Sequence, residues 1–223
     1  RYMSAAAALE SAGNPAAAKA AYAAAAGLWP NAPLPRIGLG NLAAAAGDWA
    51  TAGRLLAATA QTVEKAGADF LVLCTNTMHK VAPAIEAAVR VPLLHIADAT
   101  AGEISAAGCS TVGLLGTRFT MEQDFYKGRL HQDHGLRVLT PAEQDREIVH
   151  RIIYDELSLG SVIDRSRTEY RRIMAELVRQ GAEAIILGCT EITLLVEQTD
   201  AAVPLFDTTR IHARKSAEWA LED

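Results

Sequence analysis

The stretch Ala68-Asp69-Phe70-Leu71-Val72-Leu73-Cys74-Thr75 has a counterpart about 115 positions further on, Ala182-Glu183-Ala184-Ile185-Ile186-Leu187-Gly188-Cys189-Thr190. Each is a short apolar run with no polar face, the pattern of a strand in a parallel sheet covered by helices on both sides. Each is followed by a Val-Pro-Leu strand, at Val91-Pro92-Leu93 and at Val203-Pro204-Leu205. Two related α/β halves are therefore implied. In such halves ligands bind beyond the carboxyl ends of the strands, and each Cys-Thr stands at such an end. Facing halves bring the two thiols to one cleft.

Strands alternate with helices outward from these runs. Thr111 to Leu115 reads as a strand, the region around Met121 to His131 as a helix, and Leu136 to Leu139 as a further strand. Long helical patterns cover about 143–158 and 164–180, and a helix is expected over Met78 to Val89. A group of arginines in the later helix, Arg165, Arg167, Arg171 and Arg172, reads as a solvated face.

Residues 1–60 have a different character, dominated by Ala and broken at Gly-Asn, Trp-Pro-Asn and Gly-Asp. Gly13-Asn14 returns as Gly47-Asp48, a period of 34 residues. In that register Ala18, Tyr22, Ala25 and Pro30 resemble a tetratricopeptide repeat, whose small residues let paired helices approach closely while proline ends a helix. Ile37-Gly38-Leu39-Gly40-Asn41 is read as helix.

The chain has 223 residues, 50% hydrophobic and 21% charged, with a net charge of −5. This is ordinary globular composition. Mild acidity and scattered Lys and Arg give no stripe for nucleic acid, and no apolar run approaches the ~18–20 residues that span a bilayer. The three cysteines lie far apart, which suits free thiols in a reducing compartment, and a cytoplasmic location is expected.

Two cysteines at matching strand ends suggest a site with two thiols. Each precedes polar residues and an expected helix, whose N-terminal N–H groups favour a thiolate or a substrate carboxylate. Cys109 stands outside both repeats and reads as incidental. His79 opens the helix after the first motif, and His95 reads as a packing or supporting residue.

Cys74-Thr75-Asn76-Thr77-Met78-His79 and Gly188-Cys189-Thr190-Glu191-Ile192 resemble the two motifs of the aspartate/glutamate racemase family. Leu114-Leu115-Gly116-Thr117-Arg118-Phe119-Thr120-Met121-Glu122 is similar to the loop opening that family's second half. The resemblance runs from about Gly47 to the C-terminus. It implies an α/β fold of two pseudo-symmetric parallel-sheet lobes, preceded here by the alanine-rich helical segment 1–46. The first lobe, 47–101 plus 203–223, is truncated, because the family's opening strand and glycine-rich loop are missing; the second is 102–202. The chain thus reads as a chimera or a generated sequence.

The resemblance also implies the chemistry: an amino-acid racemase that uses no cofactor, neither pyridoxal phosphate nor metal. One cysteine, Cys74 or Cys189, removes the α-proton of aspartate or glutamate and the other returns a proton to the opposite face. Thr75, Asn76, Thr77, Thr117 and Thr190 are the expected donors to the substrate, and Glu191 orients the second cysteine or receives the substrate ammonium. Asp207-Thr208-Thr209 is expected near the cleft, holding geometry. The expected partner is a small amino acid, with no nucleic acid or membrane, and the family resemblance implies a homodimer. The competing reading is a catalytically impaired scaffold whose helical repeats bind a peptide. Within the superfamily, maleate isomerase, hydantoin racemase and arylmalonate-type decarboxylase are the neighbours; the paired cysteines argue against the single-thiol decarboxylase.

Overall fold

The computed structural model describes residues 2–222. The chain forms two compact units, one of residues 1–71 and 81–93 and the other of residues 72–80 and 94–223.

The first unit opens with helices α1 (Tyr2–Ser11), α2 (Pro15–Leu28), α3 (Pro33–Ala45) and α4 (Trp49–Lys65). The 34-residue period has a geometric counterpart here. Gly13 and Gly47 both take left-handed backbone angles, φ 70° and 80°, which glycine adopts without a Cβ penalty. The next residue then caps the following helix: Asn14 accepts from the Ala17 N–H at 3.1 Å and Asp48 from the Thr51 N–H at 3.0 Å. Small residues let these helices touch. A Cβ on Gly38 would lie 2.5 Å from the Tyr22 ring, so α3 can rest on Tyr22 only with glycine there. Ala6, Ala18 and Tyr22 form a small buried cluster.

Two short strands, β1 (Leu71–Val72) and β2 (Leu93–Leu94), pair with each other. They are shorter than the apolar runs Asp69 to Leu73 and Val91 to Ile96 suggest. His95 accepts the Ala97 N–H at 3.2 Å, caps α6 (Ile96–Ala106) and so ends β2. The helix expected over Met78 to Val89 is a 3-10 turn, Thr77–Val81, followed by the short helix α5 (Ala82–Glu86).

The second unit holds a four-stranded parallel sheet in the order β4-β3-β5-β6. Its strands are β3 (Thr111–Gly116), β4 (Arg137–Leu139), β5 (Ala184–Gly188) and β6 (Leu205–Asp207). Side chains alternate between two buried faces. Val112, Leu114, Ala184 and Ile186 pack on one side with Ile104 of α6 and with Tyr126 and Leu130 of α8 (Asp124–Gln132). Leu115, Ile185 and Leu187 pack on the other, with Ile152 and Ile153 of α9 (Glu143–Asp155) and Ile173 and Leu177 of α10 (Asp164–Arg179). Burial on both faces explains why β3 and β5 read as unbroken apolar runs. The helix expected around Met121 to His131 is divided at Gln123 into α7 (Arg118–Glu122) and α8, and α11 (Thr208–Leu221) closes the chain.

The arginines of α10 are not a merely solvated face. Arg167 bonds both oxygens of Asp200, at 3.0 and 2.9 Å, and also Glu197 at 2.8 Å; Arg171 pairs with Asp200 and Arg172 with Asp145. The Asp200 side chain is fully buried, and a buried carboxylate requires such partners. Among the described residues, no helix is long and apolar enough to cross a membrane.

Candidate active site

Parallel register places three strand ends side by side. Gly116 is paired with Gly188 and Leu187 with Asp207, so the residues that follow, Thr117, Cys189 and Thr208, emerge together at the carboxyl edge of the sheet. Close approach demands glycine at two of these ends: a Cβ on Gly188 would stand 2.8 Å from the Leu115 carbonyl oxygen, and one on Gly116 3.0 Å from that of Gly188.

The Cys74 loop belongs to the same unit and is bonded to this edge. Asn76 Nδ2 donates to Thr208 Oγ1 at 3.1 Å, and Thr208 Oγ1 donates to the Leu187 carbonyl at 2.9 Å. The Thr77 and Thr117 hydroxyls meet at 3.2 Å. A relay of two hydrogen bonds thus runs from two residues after the first cysteine to two residues before the second. The structure brings Asn76, Thr77, Thr117 and the strand that leads to Cys189 together.

The amide orientation of Asn76 follows from this relay. Since Thr208 spends its single hydroxyl hydrogen on the Leu187 carbonyl, it can only accept from Asn76, which must present nitrogen. Asn76 Oδ1 is then a buried acceptor with no partner among the described residues.

The two thiols stand in unlike surroundings. Cys74 is exposed. Cys189 is partly buried and donates to Glu191 Oε2 at 2.9 Å, an oxygen that also receives the Thr190 hydroxyl at 2.6 Å. Burial first, and then the Glu191 carboxylate, push the Cys189 thiol up to about 12. Helix-end N–H groups do act on this sulfur, through the backbone of Glu191 and Thr190, but they are outweighed. Burial and the carboxylate thus outweigh the N–H groups at Cys189, and a 3-10 turn, Thr190–Leu194, stands where the helix was expected. Burial works against the Glu191 carboxylate, yet bonds from Cys189 and Thr190 hold it below its ordinary value.

Other residues complete the surroundings. Thr75 is half-buried and offers its carbonyl to His79 Nδ1 at 2.6 Å. Asp207 caps α11 through the N–H groups of Thr209 and Arg210, and Cys109 sits at the margin of the α6 side of the core. The sequence reading missed His212, which lies one turn after Thr208 on the same face of α11 and donates to the Leu94 carbonyl at 2.8 Å; the i, i+4 spacing from Thr208 is the signal that finds it. It also missed His150 and Tyr154, whose rings meet at a tilt of 55° with centroids 4.7 Å apart, His150 accepting the Arg118 N–H at 3.3 Å. Among the described residues, no group of three or more His, Cys, Asp or Glu is placed to hold a metal ion.

Known proteins share this arrangement of strands. The chain is 56% identical to a candidate Asp/Glu racemase from Yersinia pestis, with 82% of this chain and 80% of that one covered and a TM-score of 0.79. An aspartate racemase homologue from Pyrococcus horikoshii OT3 is 38% identical, over 78% of this chain and 76% of that one, with a TM-score of 0.71. Similarity extends to the broad-specificity amino-acid racemase of Bacillus subtilis, 26% identical over 71% of this chain and 68% of that protein. The profile of the Asp/Glu/hydantoin racemase family matches residues 34–216. That span takes in residues 34–46, assigned from sequence to the helical segment, and the comparisons lend no support to a chimera. A match over so much of the sequence makes the chain a member of the Asp/Glu/hydantoin racemase family.

Proposed function

We propose that the chain racemises a free amino acid by direct proton exchange at the α-carbon between Cys74 and Cys189. The observation that carries this reading is the relay Asn76–Thr208–Leu187, which ties the first cysteine's loop to the strand that ends at the second. One base returning its proton to the same face cannot invert a centre, so a racemase without a redox or imine step needs a donor and an acceptor on opposite faces. The raised Cys189 thiol is protonated at rest and supplies the donor. Cys74, as thiolate, takes the α-proton; the Cα–H electron pair moves into the carboxylate as an enolate, and Cys189 S–H protonates the opposite face. The α-proton is a very weak acid, so charge on the substrate carboxylate must be met by fixed donors. Thr77 suits this role: the hydroxyls of Thr120, Thr117 and Thr77 form a chain, and in the arrangement where each donates to the next the Thr77 hydrogen is left for the substrate. Thr75 is a further donor, whereas the Thr190 hydroxyl, expected from sequence to donate to the substrate, spends its hydrogen on Glu191. Glu191 holds the Cys189 proton and is the carboxylate beside the site that receives the substrate ammonium.

Aspartate or glutamate is the substrate that the motif resemblance supports, and the Pyrococcus relative points the same way. The broad specificity of the Bacillus relative makes a wider panel of amino acids part of the test. Purified protein incubated in deuterium oxide is expected to incorporate deuterium at Cα and to abolish optical rotation. Cys74→Ser or Cys189→Ser is expected to cost at least ~10³-fold in racemisation. Normal racemisation by either variant refutes the two-base reading. A folded wild-type protein without turnover on any amino acid favours the scaffold reading, in which helices α1 to α4 carry the function.

A further inference from the structure

We propose that His79 is a positioning residue for the first cysteine, a rigid neutral strut that fixes the peptide between Thr75 and Asn76. This rests on the reading of Cys74 as a reacting thiol.

The imidazole is 1% exposed and is held at both nitrogens. Nδ1 lies 2.6 Å from the Thr75 carbonyl, which can only accept; Nε2 lies 3.2 Å from the Ile96 N–H, which can only donate. The tautomer is therefore fixed, with the hydrogen on Nδ1 and a lone pair on Nε2. Protonation would set an N–H against the Ile96 N–H and break that bond.

Position makes the strut relevant to chemistry. Thr75 lies between the thiol and the amide that presents the unpartnered Asn76 Oδ1. The loop is held toward the sheet by Asn76–Thr208 and Thr77–Thr117, and His79 ties it to the start of α6. The neighbours of the ring are matched to a neutral group. From the turn before α6 comes the His95 ring, with centroids 4.3 Å apart, and from α11 the His212 ring at 6.0 Å. Asp98 of α6 and Arg129 of α8 also face it, and the Asp98 carboxylate is engaged by Arg129 at 2.7 and 2.6 Å and by His134 at 2.9 Å. Burial holds His79 down to about 4, so it stays neutral across the range in which an enzyme of this kind is assayed.

Two substitutions separate the contacts. Asn carries its amide at the distance of Nδ1 and keeps the bond to Thr75; Gln reaches the Nε2 position and keeps only the bond to Ile96. H79N, H79Q and H79L are compared for kcat and KM on the fastest amino-acid substrate, for thermal midpoint, and for the rate at which iodoacetamide alkylates Cys74, read by peptide mass mapping. A thiol displaced by ~1 Å is expected to lower kcat about 30- to 100-fold in H79Q and H79L with KM within about threefold, while H79N retains at least about a third of wild-type kcat. If H79L does not fold, the H79N and H79Q pair decides the question. An H79Q enzyme as active as H79N, or wild-type values in both together with unchanged Cys74 alkylation, overturns the proposal. Should the wild type racemise no amino acid, the two-cysteine reading fails by itself, and the alkylation rates of H79N against H79Q still test the strut.

Discussion

Replacing Glu191 by Gln tests the electrostatics of the second thiol directly. The carboxylate lies 2.9 Å from Cys189 Sγ and accepts its hydrogen. A charge at ~3 Å is worth about 5 kcal/mol at an effective dielectric of about 20, an upper figure for a group that is only partly buried. The whole displacement of the thiol, from 9.0 to about 12, amounts to roughly 4 kcal/mol at about 1.4 kcal/mol per unit. Burial is the largest part of it and survives the substitution, so Glu191→Gln is expected to lower the thiol by about 1 to 1.5 units. Removing a negative charge favours the thiolate, so the sign is downward. Below its midpoint the thiolate fraction then rises about 10- to 30-fold at fixed pH, and the intrinsic nucleophilicity of a less basic sulfur falls with a Brønsted slope of about 0.45. The net expectation is about three- to sevenfold faster alkylation at pH 8. Iodoacetamide labelling of Cys189 in a C74S/C109S background, followed by mass spectrometry, reads this ratio. Equal or slower labelling in E191Q refutes the assignment of Glu191 as the group that holds the proton on Cys189.

Two further outcomes follow from the packing. Gly188→Ala places a Cβ 2.8 Å from the Leu115 carbonyl oxygen and 3.1 Å from Leu114 Cδ1, so strands β3 and β5 must part; a loss of about 1–3 kcal/mol in chemical denaturation is expected, and an unchanged midpoint contradicts the close approach. The buried histidines make the fold acid-sensitive. His79 is held down to about 4 and His95 to about 2 by burial, and His212 is also lowered by burial. The unfolded chain takes up these protons near pH 6.5 and the folded chain does not, so the stabilisation is complete above 6.5 and is lost as pH falls through the folded values. For His79 alone the loss between about pH 6.5 and 4 approaches ~3 kcal/mol. Denaturation midpoints at pH 7.5 and 4.5 are expected to differ less in H79N than in the wild type, and equal differences rule out His79 as a contributor.

The parts of the fold legible from sequence are those whose burial is decided locally. Strands β3 and β5 are covered on both faces, so Val112 to Leu115 and Ala184 to Leu187 are apolar at every position and announce themselves. Among the described residues, strands β1 and β2 pair only with each other, and the equally apolar flanks Phe70, Leu73 and Ile96 do not extend the ladder; hydrophobicity alone does not reveal how many neighbours a strand has. His95 read as a packing residue because its role, accepting the Ala97 N–H, is set by backbone geometry that leaves no mark in composition. The arginines of α10 read as solvated because their partners Asp200, Glu197 and Asp145 lie outside the helix.

The same division runs through the site. The cysteines and the threonines beside them stand at strand ends, a position that duplication of a short motif discloses. What fixes their geometry and protonation is supplied from afar: Thr208 reaches Asn76 across the length of the chain, His79 reaches Ile96, and the state of Cys189 depends on how deeply its strand end is covered and on which way Glu191 turns. The matching Cys-Thr motifs suggest equivalent thiols, whereas the fold gives one an open position and the other a carboxylate partner. On the proposed two-thiol reaction that asymmetry would give the two cysteines separate roles. Such a reaction must run in both directions, so the thiolate form of Cys189 would have to be reached in one of them, against both its burial and the neighbouring carboxylate. In that proposal, substrate bound between the sulfurs with its ammonium beside Glu191 would place a positive charge where that thiolate forms and would thereby offset the carboxylate that suppresses it in the free protein.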